Sequence, residues 1–234
     1  GGMKMKKRTA IIVLLAVLTA LFAATCAFAE PAHMRRIRLA TELVNKMANE
    51  ADASSLGDVI RSGKGVAIFP KVTKAGLVFG AETGEGVVLL RNPNGTWSGP
   101  AFMGINGASI GFQIGVQSIG LVLVITNEKG LLAFTGGNSF KLGADVAVTA
   151  GPVGREAAAA TDGRTQASIY SYSMSEGLFA GIAVDGSVIN QNRDANKAYW
   201  GRDMSAEAAL KKPATDKRIL PLVNALKNLI HKAD

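Results

Sequence analysis

The chain has 234 residues, with 26 Lys and Arg against 18 Asp and Glu, a formal net charge of +8. Hydrophobic residues make up 48% and charged residues 19%, which excludes a disordered chain. One cysteine and two histidines exclude a disulfide framework and a multi-thiolate zinc site and leave little for histidine-based metal chemistry, so no metal or other cofactor is expected.

Residues 3–29 read as an export signal. Lys4, Lys6, Lys7 and Arg8 form a basic head, residues 10–24 are apolar except for Thr19, and Ala27-Phe28-Ala29 supplies a small-x-small cleavage site. The apolar run is shorter than the roughly 20 residues of a membrane span. A second route is lipid attachment at Cys26, giving an outer-membrane lipoprotein, although Ala23 and Thr25 fit that pattern less well than Ala29 fits cleavage. The expected location is the periplasm or the periplasmic face of a membrane. Residues 30–234 then hold 22 basic and 18 acidic residues, net +4, and no cysteine, which suits an oxidising compartment.

The charge is uneven. Residues 30–75 are net +3, residues 76–201 net −2 and residues 202–234 net +3. The middle zone holds 22 of the chain's 27 glycines. A slightly acidic centre in an exported chain argues against nucleic acid as a partner.

The spacing of Ile37, Ala40, Val44, Met47, Ala48 and Ala51 predicts an amphipathic helix, with Leu43 at the edge of its apolar face. Arg35, Arg38, Glu42, Lys46 and Asn49 lie opposite. A second helix is expected over 55–62, stopped by Gly63 and Gly65. The middle reads as strands: 66–70 ended by Pro70, then 77–79, 87–90, 101–103, 109–114, 120–126, 144–149, 167–174, 177–184 and 187–190. Asn92-Pro93-Asn94-Gly95 marks a turn, and Asp185-Gly186 suggests a hairpin between the last two strands. Residues 127–135 suggest a short helix. The tail carries an apolar stripe of Ile219, Leu222, Val223, Leu226, Leu229 and Ile230, with Pro221 confined to the first helical turn. The fold class expected is α+β, a single domain over 30–234. A curved, mainly antiparallel sheet, barrel- or sandwich-like, carries N-terminal and C-terminal amphipathic helices.

An ordered set of motifs runs through this region. Gly65-Val66-Ala67-Ile68-Phe69-Pro70 is followed by Ala75-Gly76-Leu77-Val78-Phe79-Gly80-Ala81, Gly84-x-Gly86 and Trp97-x-x-Pro100. Then come Gly107-x-Ser109-x-Gly111-x-Gln113-x-Gly115-x-Gln117, Pro152-Val153-Gly154-Arg155, Tyr170-Ser171, Gly177-Leu178-Phe179-Ala180-Gly181 and Asn196-x-x-Tyr199. In that order and spacing the chain resembles the SYLF family, a lipid- and actin-binding module, over about residues 35–201. The resemblance implies binding of membrane lipid, notably phosphoinositides, and of filamentous actin in some eukaryotic members. An amphipathic N-terminal helix is tied to lipid binding in some members; here it corresponds to about 33–51. Where members often carry a polar or acidic pair before a Leu-Val-Leu strand, this chain has Ile119-Gly120. For an exported protein, the fold and a general lipid affinity transfer better than actin or phosphoinositide binding.

Several residues carry a functional and a plain reading side by side. Arg35, Arg36, Arg38 and Lys46 fit contact with anionic headgroups, and Lys64, Lys71 and Lys74 would extend that patch. The plain reading is a helix packed on the sheet with a solvated outer face, which the Arg38–Glu42 and Glu42–Lys46 spacings favour. Gly107, Gly111 and Gly115 recur every fourth residue. On one strand they would share a face with Gln113 and Gln117, forming a shallow groove for an acyl chain or a packed helix. Gly107-x-Ser109-x-Gly111 matches a hydrolase elbow, but the glycines and the β-like alternation that follow disfavour the required helix, and the one histidine downstream is His231. The reading is a non-enzymatic, membrane-lipid-binding module of the bacterial envelope, with anionic phospholipid as partner. An envelope structural or protein-interaction protein, its partner unknown, and a serine hydrolase using Ser109 are the alternatives.

Overall fold

The computed structural model describes residues 30–50, 53–76, 79–110, 115–153, 167–175, 177–182 and 184–233. The export signal, Cys26, Ala51, Leu77-Val78, Gly111 and Gln113 lie outside them. The elements run α1 (Ala32–Met47), α2 (Ala53–Ser62), β1 (Gly65–Gly76), β2 (Phe79–Arg91), β3 (Trp97–Ile110), β4 (Gly115–Ile125) and α3 (Glu128–Thr135). They continue β5 (Ser139–Lys141), β6 (Val148–Ala150), β7 (Ile169–Ser175), β8 (Leu178–Gly181), β9 (Val188–Gln191), α4 (Arg193–Trp200), α5 (Ala206–Leu210) and α6 (Leu220–His231).

Among the described residues nine strands form one sheet in the order β5-β9-β3-β2-β1-β4-β7-β6, with β8 also on β7. The pairings are antiparallel except for β6 with β7. The architecture is α+β: a curled, mainly antiparallel sheet with N-terminal and C-terminal helices against it.

Alternation along the strands splits the core in two. Val66, Ile68, Val87, Leu89, Val122 and Val124 face α1, α2 and α6. Ala67, Val88, Ile105, Leu121 and Leu123 face the other way, toward Phe134 of α3 and Ala206, Ala209 and Leu210 of α5. α1 buries Ile37, Ala40, Leu43, Val44 and Met47, the face its spacing predicts. α6 buries Leu222, Val223, Ala225, Leu226 and Leu229, with Pro221 in its first turn. Each large side chain so buried contributes about 1.5–3 kcal/mol.

Several expectations are corrected, among them the separate strands at 77–79 and 87–90, which the single strand β2 replaces from Phe79 on. β1 does not end at Pro70 but continues to Gly76, because its register shifts between Ile68 and Val72 against both neighbours. A proline has no N–H to give a ladder, and an irregularity is where a strand can hold one. Residues 101–103 and 109–110 belong to one strand, and β4 begins at Gly115 rather than Gly120. Gly107 and Gly115 therefore lie on different strands with β2 and β1 between them, so they share no single-strand groove. Asp185-Gly186 does turn, with Gly186 at φ +91. Yet β8 pairs with β7, and β9 with β3 and β5, so the two strands are not a hairpin.

Candidate functional site

α1 lies across β1 and β4, and a cleft of about 560 Å³ opens along its C-terminal half. Leu39 and Leu43 of α1 line one side, and Pro70 and Met174 the other; Ile119 borders the cleft, but its side chain belongs with Val72 to the α3–α5 side of the core. Glu42, Lys46, Asn49 and Glu50 stand on the helix side, and Ser118 and Gly177 on the sheet side. The residues before the Leu-Val-Leu strand, Ile119-Gly120, thus belong to the cleft. A methyl group on Gly120 would overlap the Leu43 side chain, so glycine lets helix and strand close on each other.

The cations do not form one patch. Arg35 is exposed on α1. Arg38 pairs with Glu42 one turn on, at 2.8 Å. Arg36 turns inward: its side chain is 11% exposed and its guanidinium pairs with Glu85 of β2. Its Nε and Nη1 are buried without a hydrogen-bond partner. Lys46 is exposed at the mouth of the cleft. Lys64 pairs with Glu128 at 2.6 Å, beside a second, smaller cleft between α2 and α3. Lys71 is exposed on β1, in register with Glu85 of β2. Lys74 pairs with the buried Glu82 at 3.2 Å. Val72 faces the α3–α5 side of the core, so alternation puts Lys74 on that face and Lys71 on the α1 face.

The Gly-rich candidates fall apart in the same way. Gly107 packs against Glu82 and Ser187. Gln117 is exposed on β4 and donates to Ser175 Oγ at 3.4 Å. Ser109 pairs with Gly80 inside β3, whereas a hydrolase elbow needs its serine at a strand-to-helix turn. Among the described residues no group of three or more His, Cys, Asp or Glu could hold a metal ion. No described helix is long and apolar enough to cross a membrane.

A polar cluster around Asn196 and Tyr199, a pair the sequence offered as a motif without a role, fixes the start of α1. The fully buried Asn196 of α4 accepts from Phe102 N–H at 2.7 Å and donates to Phe102 C=O at 3.4 Å. Tyr199 packs on the Phe102 ring at 5.6 Å, and His33 meets both rings edge-on. Arg218 lies over Tyr199, 4.0 Å from the ring centre, and donates to its carbonyl oxygen at 3.0 Å. Burial, with a smaller push from Asp216, lifts the Tyr199 hydroxyl to about 12. Hydrogen bonds from Arg218 hold Asp216 at about 2. Burial, then Arg218 and Arg36, push His33 below its ordinary value. The Asn196-x-x-Tyr199 motif is therefore a clamp between β3 and the first helix. Its signal in sequence was slight: Asn192 as N-cap and Gly201 as the left-handed terminator of a short polar helix.

The family model described as "Ysc84: Las17-binding protein actin regulator" matches residues 106–229, from late β3 to α6. The chain belongs to the Ysc84 (SYLF) family. It is 37% identical over 155 residues to LAS seventeen-binding protein 3 of Saccharomyces cerevisiae, a match covering 65% of this chain and 34% of that protein. It is 38% identical over 145 residues to SH3 domain-containing YSC84-like protein 1 of Xenopus laevis, covering 62% and 43%. With the Homo sapiens protein of that name it shares 34% over 170 residues, covering 73% and 49%. The chain spans about a third to a half of the length of these Ysc84 relatives. The Ysc84 match runs from the end of β3 to α6, so it includes Ser118, Ile119, Gly120, Met174 and Gly177 of the cleft and Asn196, Tyr199 and Arg218 of the clamp, but not Pro70, Phe102 or His33.

Proposed function

We propose that this chain is a non-enzymatic lipid-binding module of the bacterial cell envelope, exported by way of residues 3–29. Anionic phospholipid would be taken at the cleft between α1 and the sheet. One observation carries the reading: an open cleft with an apolar lining of Leu39, Leu43, Pro70 and Met174 has the exposed Lys46 at its mouth. An acyl chain suits the lining, and a phosphate suits Lys46. Arg35 lies on the same helix and would add to the attraction.

The second reading is protein interaction without specific lipid affinity. It is favoured by the burial of α1's apolar face in the core, which leaves that face nothing to insert into a bilayer. The family description names Las17 binding and actin regulation, and the yeast relative is named for binding LAS seventeen. An exported chain would need a different partner.

Co-sedimentation separates the two. The purified protein is mixed with phosphatidylglycerol vesicles and with phosphatidylcholine vesicles at low and high salt. Salt-sensitive binding to the anionic vesicles, weakened by Lys46→Glu, is expected. Absence of binding under every condition overturns the lipid reading.

A further inference from the structure

We infer that Asn94 is a self-modification site: in the folded protein the backbone nitrogen of Gly95, helped by Thr96, displaces the Asn94 side-chain amide and leaves a carboxylate on the link between β2 and β3. Attack of this kind needs a following residue with no side chain to crowd the ring, and a backbone free to bend. Two asparagines precede a glycine in the chain, Asn94 and Asn106. Both are exposed, so exposure does not separate them. Backbone restraint does.

Asn94 lies between Arg91, the last residue of β2, and Trp97, the first of β3. The link is closed by Asn92 N–H on Thr96 C=O at 2.8 Å and by Gly95 N–H on Asn92 C=O at 2.9 Å. Gly95 sits at φ +80, a region that glycine enters freely. A methyl group on it would meet only Arg91 Nη2, at 3.7 Å. The attacking nitrogen is therefore held by one hydrogen bond in a surface turn, and such bonds open at little cost. The amide oxygen of Asn94 accepts from Thr96 N–H at 3.1 Å and from the Thr96 hydroxyl at 2.6 Å. Asn92 Nδ2 fixes that hydroxyl at 2.9 Å. Two donors on Oδ1 draw electrons from Cγ and meet the negative charge that builds on the oxygen during attack.

Asn106 has the same successor and none of this freedom. It stands inside β3, in register with Thr83 of β2 on one side and Val188 of β9 on the other. Its amide is held at both ends: the oxygen accepts from Thr83 Oγ1 and the nitrogen donates to Asn190 Oδ1, each at 2.9 Å. Glu82 and Ser187 crowd Gly107. Ring closure there would have to part three strands. Asn92 is excluded by its own successor, because Pro93 has no N–H to lose.

The step balances with water as co-reactant. Gly95 N gives its proton to hydroxide and bonds Asn94 Cγ. The Cγ–Nδ2 bond breaks, and the nitrogen takes a proton from water and leaves as ammonia. Water then opens the five-membered imide at either carbonyl. One opening gives aspartate; the other reroutes the main chain through the side chain as isoaspartate. Both products place an anion beside Arg91, which lines the second cleft with Lys64, Asn92 and Pro93. The hairpin itself thus sets the rate at which the rim of that cleft gains a negative charge.

The test incubates the purified protein at neutral and at mildly alkaline pH and digests it with trypsin. Cleavage after Arg91 and Lys129 releases one peptide that holds both Asn94 and Asn106, so each serves as the other's control. Tandem mass spectrometry should place the exchange of –NH2 for –OH at 94 and not at 106, faster at the higher pH, with isoaspartate among the products. In urea the two positions should convert at similar rates, since only the fold separates them. Thr96→Val keeps the shape of the side chain and the main-chain donor but removes the hydroxyl. It should slow conversion about fivefold, less than the roughly 10²–10³ lost with a donor in a closed active site, because the turn is open to water. Equal conversion at 94 and 106 in the folded protein, or a retained amide at 94, would overturn the inference. So would conversion in Thr96→Val at the parent rate or above.

Discussion

Leu43 of α1 rests on the bare backbone of Gly120 in β4, and no side chain larger than hydrogen fits between them. This contact sets the height of the helix above the sheet and therefore the width of the cleft beside it. Gly120→Ala should destabilise the protein by about 1–3 kcal/mol, the usual range for an overpacked core. For a domain of this size that lowers the thermal midpoint by roughly 2–4 °C per kcal/mol. Adding Leu43→Ala should recover part of the loss, so the two changes are expected to be non-additive in a double-mutant cycle. Equal, additive losses would show that the contact is not the cause.

Arg36 and Glu85 make a lopsided pair. The arginine side chain is 11% exposed and the glutamate 52%. Arg36→Met keeps most of the buried stem and removes two guanidinium nitrogens that lack partners. It should leave stability within about 1 kcal/mol of the parent or raise it slightly. Glu85→Ala strands the buried cation and should cost on the order of 1–3 kcal/mol. Chemical denaturation of both variants checks the asymmetry. Arg36→Met should also leave vesicle binding unchanged, because its charge is directed into the fold.

His33 predicts a pH dependence of stability. Its folded value lies below the ordinary 6.5, so the unfolded chain binds the proton more tightly than the folded one. The His33 contribution is therefore whole above about pH 6.5 and is lost as pH falls toward the folded value. A fall in the unfolding midpoint between about pH 7 and 5 is expected, with a shallower fall in His33→Gln. A parallel pH profile in the variant would remove His33 from the account.

Asn196 stands in for a neighbouring strand, since its amide pairs with both the N–H and the C=O of Phe102. Asn196→Ala leaves the buried Phe102 N–H without its acceptor, while the carbonyl keeps the Asn192 N–H at 2.9 Å, and should cost about 1–3 kcal/mol. Hydrogen exchange locates the damage. The Phe102 amide should lose protection well before the amides of β1.

Legibility in sequence followed the range of the interaction. The apolar faces of α1 and α6 were plain, because a helix buries residues three and four apart: Ile37, Ala40 and Val44, or Leu222, Leu226 and Leu229. The turn at Asp185-Gly186 was plain too, being local. Its consequence was not: which strand β9 joins depends on β3, about 85 residues earlier, and no local pattern records it. α4 escaped because it buries only Ala195, Asn196 and Tyr199, and so has no apolar stripe. At the site, composition identified the cations but not their pairing. On a helical wheel Arg36 falls within the apolar arc, between Leu43 and Met47, and Lys46 outside it, but the partners that receive the inward cations, Glu85 for Arg36 and Glu82 for Lys74, are set by strand register and not by local sequence. The Ile119-Gly120 departure was visible as an oddity, and only the contact with Leu43 explains it.

The position of β9 also has a meaning in time. β1, β2 and β3 are consecutive antiparallel neighbours, which close short loops and assemble early. β3 then presents its outer edge, from Met103 to Asn106, with nothing to pair until residues 188–191 arrive. During that interval the growing chain carries an open strand edge, available to the same strand of another copy. A four-residue strand near the end of the chain is thus what closes the period of greatest risk in the protein's assembly.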